Sequence, residues 1–344
     1  MPISSVLGSS ALLPAGLGFR NKIINGHMAI SQRGTSAISN VAATNTYGAD
    51  RWHLYGALAS KMTIAQSATN PSGQGFSNST LVTCTAAVTS GSGDYGLRQH
   101  IEGYNTTDLA WGTAGAKPVV VSFWVRSSIA GTYSFALHNG SYNRSLISTY
   151  AISAVDTWEK KTVYINAGDI TGTWATDNSV GLAIWFDLGS GTANNGTAGV
   201  WTAGLPTRTS GSVNWIGTSG ATFYLTGVQL EQNYQPTPFE QRPYGTELAL
   251  CQRYYQIGRL AAAGYGIVAT VDSGAYANFS FPSRMRAAPT ITELTKGLGG
   301  SPVGYNSATT YIDASGFGYR YHHGGTSGSG NLSFDLTWSA ASEL

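Results

Sequence analysis

The chain has little charge. Of its 344 residues only 10% are Asp, Glu, Lys or Arg, against the ~25% of an ordinary globular protein. The net charge is +2 and no run of Lys and Arg exists, so the surface lacks the cation density that neutralises phosphates, and nucleic acid is not an expected partner. There are two cysteines, Cys84 and Cys251. One lies in a strand pattern and one in a helix pattern, which favours two buried free thiols over a disulfide framework. No stretch reaches the ~20 apolar residues that span a membrane. The opening MPISSVLGSSALLPAGLGF is mildly apolar without a charged n-region, a poor export signal. Helix-length amphipathic segments are absent from the first 245 residues, which argues against an α/β sheet.

What the chain has instead is Gly, 44 residues of it, with abundant Ser, Thr and Asn, 9 Trp and 19 Tyr. Small polar residues supply the backbone angles of turns. Aromatic rings fill sandwich cores, or present a flat apolar face and a polar edge to a partner. Short alternating runs recur every ~8–12 residues, the spacing of a sandwich. DRWHLY (50–55), LVTCTA (81–86), GLRQHIEG (96–103), WEKKTVYINA (158–167) and VGLAIWFDLG (180–189) are examples. The strongest is KPVVVSFWVRSS (117–128), apolar on both faces and therefore expected to be flanked by strands on both sides. GTYSFALHNG (131–140) follows a turn and reads as its hairpin partner. After Gly245 the period changes. TELALCQRYYQIG (246–258) places Leu248, Cys251, Tyr254 and Tyr255 at helical spacing, with Thr246 as the N-cap and Gly258 as the stop. The rest is strand-like again. The fold class is all-β: a β-sandwich, a short helix and a second, smaller β-sandwich. The expected divisions are an N-terminal segment at 1–20, the first sandwich at 21–245, the connecting helix at 246–258 and the C-terminal sandwich at 259–344.

Catalytic fingerprints are weak. GSGDYG (91–96) satisfies G-x-G-x-x-G, but a strand rather than a helix pattern follows it. Asp169, Asp177 and Asp187 cluster in sequence, and Glu231 and Glu240 lie near the proline-rich stretch at 236–243. None is distinguished from turn and surface acids, although the Asp residues of the 169–177 loop are oxygen donors of the type that calcium takes. No catalytic residue, cofactor or metal ligand is assigned. Sugar recognition is the sharper expectation, since a planar ring stacks on the CH face of a sugar while neighbouring amides and guanidinium groups bond its hydroxyls. Three aromatic groups suggest themselves: the loop HNGSYNRS with Asn139, Tyr142, Asn143 and Arg144, the pair Trp201 and Trp215, and the pair Tyr319 and Tyr321. The first is the preferred site.

Seven stretches in order over residues 19–255, INGHMAISQRG, ADRW, LRQHIEG, PVVVSFWVRSS, WEKKTVYI, TFYLTGVQLE and TPFEQRPYGTELALCQRYY, resemble a family of phage tail-fibre-like proteins. The resemblance implies a jelly roll similar to certain carbohydrate-binding modules, and a structural rather than enzymatic role in a virion. The chain is accordingly read as a tail-fibre or appendage subunit that binds a host surface glycan, forms a homotrimer and attaches to other virion proteins through residues 1–20. Leu248, Cys251, Tyr254 and Tyr255 are expected near the threefold axis. The alternative is a head-decoration protein or head fibre on the outer surface of the capsid.

Overall fold

The computed structural model describes residues 19–89, 93–266, 274–299, 305–323 and 330–344. The expected attachment segment falls almost entirely outside them. The first unit contains β1 (Ile38–Ser39), β2 (Thr46–Tyr47), β3 (His53–Gly56), β4 (Met62–Ser67), β5 (Ser79–Cys84), β6 (Tyr95–Glu102), β7 (Val119–Ser127), β8 (Gly131–Asn139), β9 (Arg144–Ile152), β10 (Glu159–Ile165), β11 (Val180–Asp187), β12 (Trp201–Ala203) and β13 (Thr222–Glu231). They form two antiparallel sheets, in the orders β1-β4-β5-β13-β7-β10 and β12-β9-β8-β11-β6-β3-β2. Non-sequential neighbours such as β13 beside β5 and β7 give the jelly-roll connectivity.

Alternation places one side of each strand in a shared core. Val121, Phe123 and Val125 of β7 meet Phe135 of β8 and Phe186 of β11, all essentially inaccessible to water. Phe123 contacts Phe186 and Tyr150 edge-on at 5.0 Å centroid separation each. Each such side chain contributes roughly 1.5–3 kcal/mol by leaving water. β7 lies between β13 and β10, flanked by strands on both sides as expected.

The expected β7–β8 hairpin does not form. β8 crosses to the opposite sheet and pairs with β9 and β11. Ser127 and Tyr133 mark the crossing, their hydroxyls 2.9 Å apart, and the Tyr133 hydroxyl also donates to Ile129 O at 2.8 Å. Both sheets bury the same parity of side chain, so alternation alone does not choose between them.

The helix α1 runs Tyr244–Gln252, two residues earlier than expected. Pro243, not Thr246, precedes its first turn, and the Pro243 carbonyl accepts the Glu247 N–H at 3.1 Å. A proline at this junction gives up no helical bond, because the first N–H groups have no partner within the helix. Gly258 is no stop. It lies inside a strand, and a side chain there would collide with the Trp338 ring, whose nearest atom is 2.5 Å from the Cβ position.

That strand is β14 (Tyr255–Gly266). It is followed by β15 (Gly274–Ser280), β16 (Thr290–Gly299), β17 (Tyr305–Asp313), β18 (Gly316–His323) and β19 (Gly330–Ala341). The sheets β14-β19-β16 and β15-β18-β17 enclose a second core around Phe317, Phe334, Leu336 and Trp338.

Helix α1 seals the base of the jelly roll. Cys251 and Tyr254 are fully buried and pack with Ile24, Ile30 and the partly buried Leu248 and Leu344 of the same chain, and Tyr255 is nearly buried. The Tyr254 hydroxyl donates to Glu102 at 2.7 Å. Cys251, Tyr254 and Tyr255 are therefore covered by the chain itself, contrary to the expectation that they meet a threefold axis, whereas Leu248 keeps part of its surface.

The last residues return to this base. Glu343 pairs with the buried Arg51 and with Arg33, the latter at 2.9 Å. Arg51 stacks over the Tyr254 ring at 3.6 Å and Arg33 over Tyr255 at 3.5 Å. Arg286 donates to the Ser342 and Glu343 carbonyls at 2.8 and 3.0 Å. The side chain of Arg51 is only 2% exposed, so the loss of its carboxylate strands a buried charge. Glu343→Gln is expected to lower stability by about 3 kcal/mol in urea unfolding. Asp156→Asn, which breaks a pair with Arg126 that is half in solvent, is expected to cost at most ~1 kcal/mol. Equal effects would mean that Glu343 is no clasp.

Candidate functional site

The preferred loop, 139–144, proves to be tightly bonded. The buried Asn139 accepts the N–H groups of Asn143 and Arg144 at 3.0 and 3.1 Å and donates to Asn143 Oδ1 and Thr173 O at 2.7 and 2.9 Å. Arg144 makes a two-pronged pair with Asp169 at 2.7 and 2.8 Å. Burial alone would raise the Asp169 carboxyl, but the bonds from Arg144 and Thr171 hold it below its ordinary value. Tyr142 adopts a left-handed backbone and donates its hydroxyl to His100 Nε2 at 2.6 Å. Asn143 alone of the four is well exposed. Asn139 and Arg144 are thus holding the loop and not reaching for a ligand.

Tyr319 and Tyr321 require correction. They are 1% and 4% exposed and belong to the core of the second sandwich. Residues two apart share a sheet face, but that face is the inner one. Trp215 is likewise fully buried.

Trp201 has other partners. With Trp111 and Trp174 it forms a cluster at one end of the jelly roll, with ring centroids 4.8, 5.2 and 5.6 Å apart and every pair edge-to-face. Each indole N–H is held by a backbone carbonyl: Trp111 by Lys117 at 2.8 Å, Trp174 by Thr171 at 3.2 Å and Trp201 by Ala167 at 3.0 Å. The rings are fixed before any ligand arrives. Two loops must approach closely to bring them together. Gly112, at φ +83, allows this, since a Cβ there would lie 2.9 Å from the Gly172 carbonyl oxygen and 3.1 Å from the Trp174 ring. Beside Trp111 and Trp174 opens a groove of about 260 Å³, walled by Thr106, Thr107, Leu109 and Thr113. No ionisable residue lines it. Sequence reasoning missed Trp111 and Trp174. Their signal was position: AWGTAG and TGTWATD set a Trp among turn residues, outside any strand pattern.

The outer face of the seven-stranded sheet carries a second polar cluster, but the chain covers it. His53, His100, His138 and Arg98 are all buried there around Trp185. Carbonyls only accept, so His100 Nδ1 donates to Leu344 O at 2.9 Å and leaves Nε2 to accept from Tyr142. His138 Nε2 similarly faces Pro206 O at 3.2 Å, and His53 Nε2 accepts from Arg98 Nε at 2.8 Å. Burial keeps all three imidazoles neutral, with nearby Arg98 adding to it. His100 is held at about 3 and His138 at about 4, and His53 is also well below its ordinary value.

The carboxylates are absorbed by the fold. Burial raises Asp187 to about 6, and it accepts N–H bonds from Gly189 and Ser190 at 3.1 and 3.0 Å. Glu240 holds the N–H groups of Phe19 and Asn21 at 2.6 and 3.0 Å, and Glu231 holds Thr237. Among the described residues no group of three or more His, Cys, Asp or Glu is placed to bind a metal. Cys84 and Cys251 are buried and free.

No protein-family model matches the chain, and no curated protein does. Solved structures to which it is similar include the enzymatically active domain of tailspike protein 4 from bacteriophage CBA120. The identity is 10%, the match covers 62% of this chain and 22% of that one, and the TM-score is 0.33. The chain thus spans about a fifth of that domain's length. Another is the family 11 carbohydrate-binding module of cellulase Lic26A-Cel5E from Clostridium thermocellum, at 13% identity, covering 57% of this chain and 99% of the module, with a TM-score of 0.28. A third is TmCBM61 in complex with β-1,4-galactotriose, at 10% identity, covering 62% and 99%, with a TM-score of 0.29.

The buried histidines have a pH consequence. Their folded pKa values lie below the ordinary 6.5, so below pH 6.5 the unfolded chain binds protons that the folded one does not. Stability from these groups is full above pH 6.5 and is lost as pH falls toward 3. Asp187, raised to about 6, opposes the loss. In urea unfolding followed from pH 7 to 5, His100→Gln is expected to lose less stability than the unaltered protein. Parallel curves would show that His100 titrates normally in the folded state.

Proposed function

We propose that this chain is a non-catalytic virion component of a bacteriophage, a tail-fibre or appendage subunit, and that the tryptophan end of its jelly roll binds a host surface glycan. The cluster of Trp111, Trp174 and Trp201 carries the reading. A sugar ring has an apolar CH face and a polar rim. It can lay the first on an indole and turn the second toward threonine hydroxyls, which both donate and accept. Rings already locked by their own N–H bonds lose little freedom on binding. The groove at about 260 Å³ is smaller than the ~300–1,000 Å³ of a drug-sized pocket, which suits one or two sugar units held end-on. Its lining without charge favours a neutral sugar.

The non-catalytic part of the reading draws on the acids. Glycoside cleavage uses two carboxyl groups across the scissile bond, whereas Asp169, Asp187, Glu231 and Glu240 are each bonded into loops. The virion part draws on the ordered motifs of residues 19–255. In the homotrimer expected with it, Cys251 and Tyr254 stay within the chain, where they are buried.

Two outcomes follow. On an array of neutral and acidic oligosaccharides the protein is expected to bind neutral members. Trp174→Ala is expected to weaken that binding about tenfold or more while leaving the folded state intact, and an empty array for the unaltered protein would end the glycan reading. Gold-labelled antibody against residues 246–344 is expected to mark the tail of intact virions. Label spread over the head would make the chain a decoration protein.

A further inference from the structure

The second sandwich carries a surface that the jelly roll's function does not use. We infer that the outer face of its sheet β15-β18-β17 is a second saccharide-binding site, centred on Tyr311. The ligand class rests on the glycan reading above, while the site is independent of the tryptophan end.

Tyr311 is 90% exposed, the most exposed large apolar side chain among the described residues. It also has φ +50, a left-handed backbone, where the register of β17 against β18 breaks between Thr310 and Asp313. A tyrosine in that conformation costs about 1 kcal/mol or more. The ring recovers none of this by burial, so packing gives no reason for a tyrosine at this position. A ring held away from the core on a strained, defined backbone is instead positioned for contact from outside.

The sheet beside it is shaped to match. Pairing sets Asn278, Gly318 and Thr310 in one cross-strand row and Ser280, Gly316 and Asp313 in the next. The middle strand contributes glycine in both rows, so the floor is bare backbone between polar walls. The Asn278 and Thr310 side chains lean over that floor. A Cβ on Gly318 would lie 2.6 Å from Thr310 Oγ1 and 2.9 Å from Asn278 Oδ1. The resulting depression of about 310 Å³ includes Tyr311 in its lining. Phe317, from the same strand, turns to the core and is 3% exposed.

The chemistry selects among ligands. No basic residue lines the depression, so a phosphate backbone has nothing to pair with. Beside Tyr311 its walls offer an amide, hydroxyls and a carboxylate, the groups that exchange hydrogen bonds with sugar hydroxyls. One ring at the side offers the stacking plane.

The test compares four full-length proteins on the same oligosaccharide array: the unaltered chain, Trp174→Ala, Tyr311→Asn and the double variant. Asparagine accepts a left-handed backbone better than tyrosine, so Tyr311→Asn is expected to fold at least as stably while binding its array members about tenfold more weakly. Ser315→Ala, which removes one hydroxyl of the lining, is expected to weaken the same members. Members that survive Trp174→Ala should disappear in the double variant. If Trp174→Ala alone removes every signal, this second site is wrong and the tryptophan site stands. If the double variant binds like the unaltered chain, neither surface is the glycan site. An array that stays empty for the unaltered chain overturns both.

Discussion

Loop backbone that leaves solvent must find hydrogen-bond partners, and a set of buried asparagines supplies them at several loops, beside carboxylates such as Glu240 and Asp187. Asn21 accepts the N–H groups of Ile23 and Leu230 and donates to Val228 O. Asn25 closes the 25–30 turn and reaches across to Asp50 O. Asn40 ties Leu58 to the start of β4 through Lys61 and Met62. Asn139 does the same for the 139–144 loop. An asparagine amide donates and accepts at once, so a single side chain replaces a missing ladder on both sides. An unpartnered buried amide would cost ~1–3 kcal/mol. The Asn content that reads as turn chemistry in the sequence is therefore also structural mortar. It leaves fewer of these residues for ligand contact than their number suggests.

That economy shapes what the two faces and the end of the jelly roll can do. The outer face of the seven-stranded sheet holds Trp185, Arg98 and three histidines, a set that would suit recognition if open. The Tyr142 loop, Pro206 and Leu344 close over it, and the imidazoles are spent on internal bonds. At the loop end Trp111 belongs to the core, while Trp174 and Trp201 are only partly buried, each pinned through its indole N–H.

The sequence conveyed the all-β character, most strands and the change of period after Gly245, because alternation and turn residues are local properties. It did not convey which sheet β8 joins, since inward-facing parity is the same in both. It did not separate β17 from β18, because YIDASGFGYRY alternates across the turn that divides them. Tyr319 and Tyr321 were legible as one face, and nothing local says whether that face is wet. Arg144 looked like a ligand donor because its partner, Asp169, is 25 residues away. Trp111, Trp174 and Trp201 span 90 residues and meet only through tertiary packing. Tyr311 was invisible for the opposite reason, since its exposure and strain are properties of a single register break.

The second sandwich begins and ends at one point. β14 and β19 run antiparallel with Tyr255 opposite Ala341, and the Ser342 N–H returns to Tyr254 O at 2.8 Å. Its two chain ends thus leave the base of the jelly roll side by side. In evolutionary terms this makes it a cassette. A different β-unit with neighbouring termini can be exchanged at this seam by recombination without stretching or re-threading the host domain. The whole second sandwich can therefore change in one genetic step while the jelly roll stays as it is.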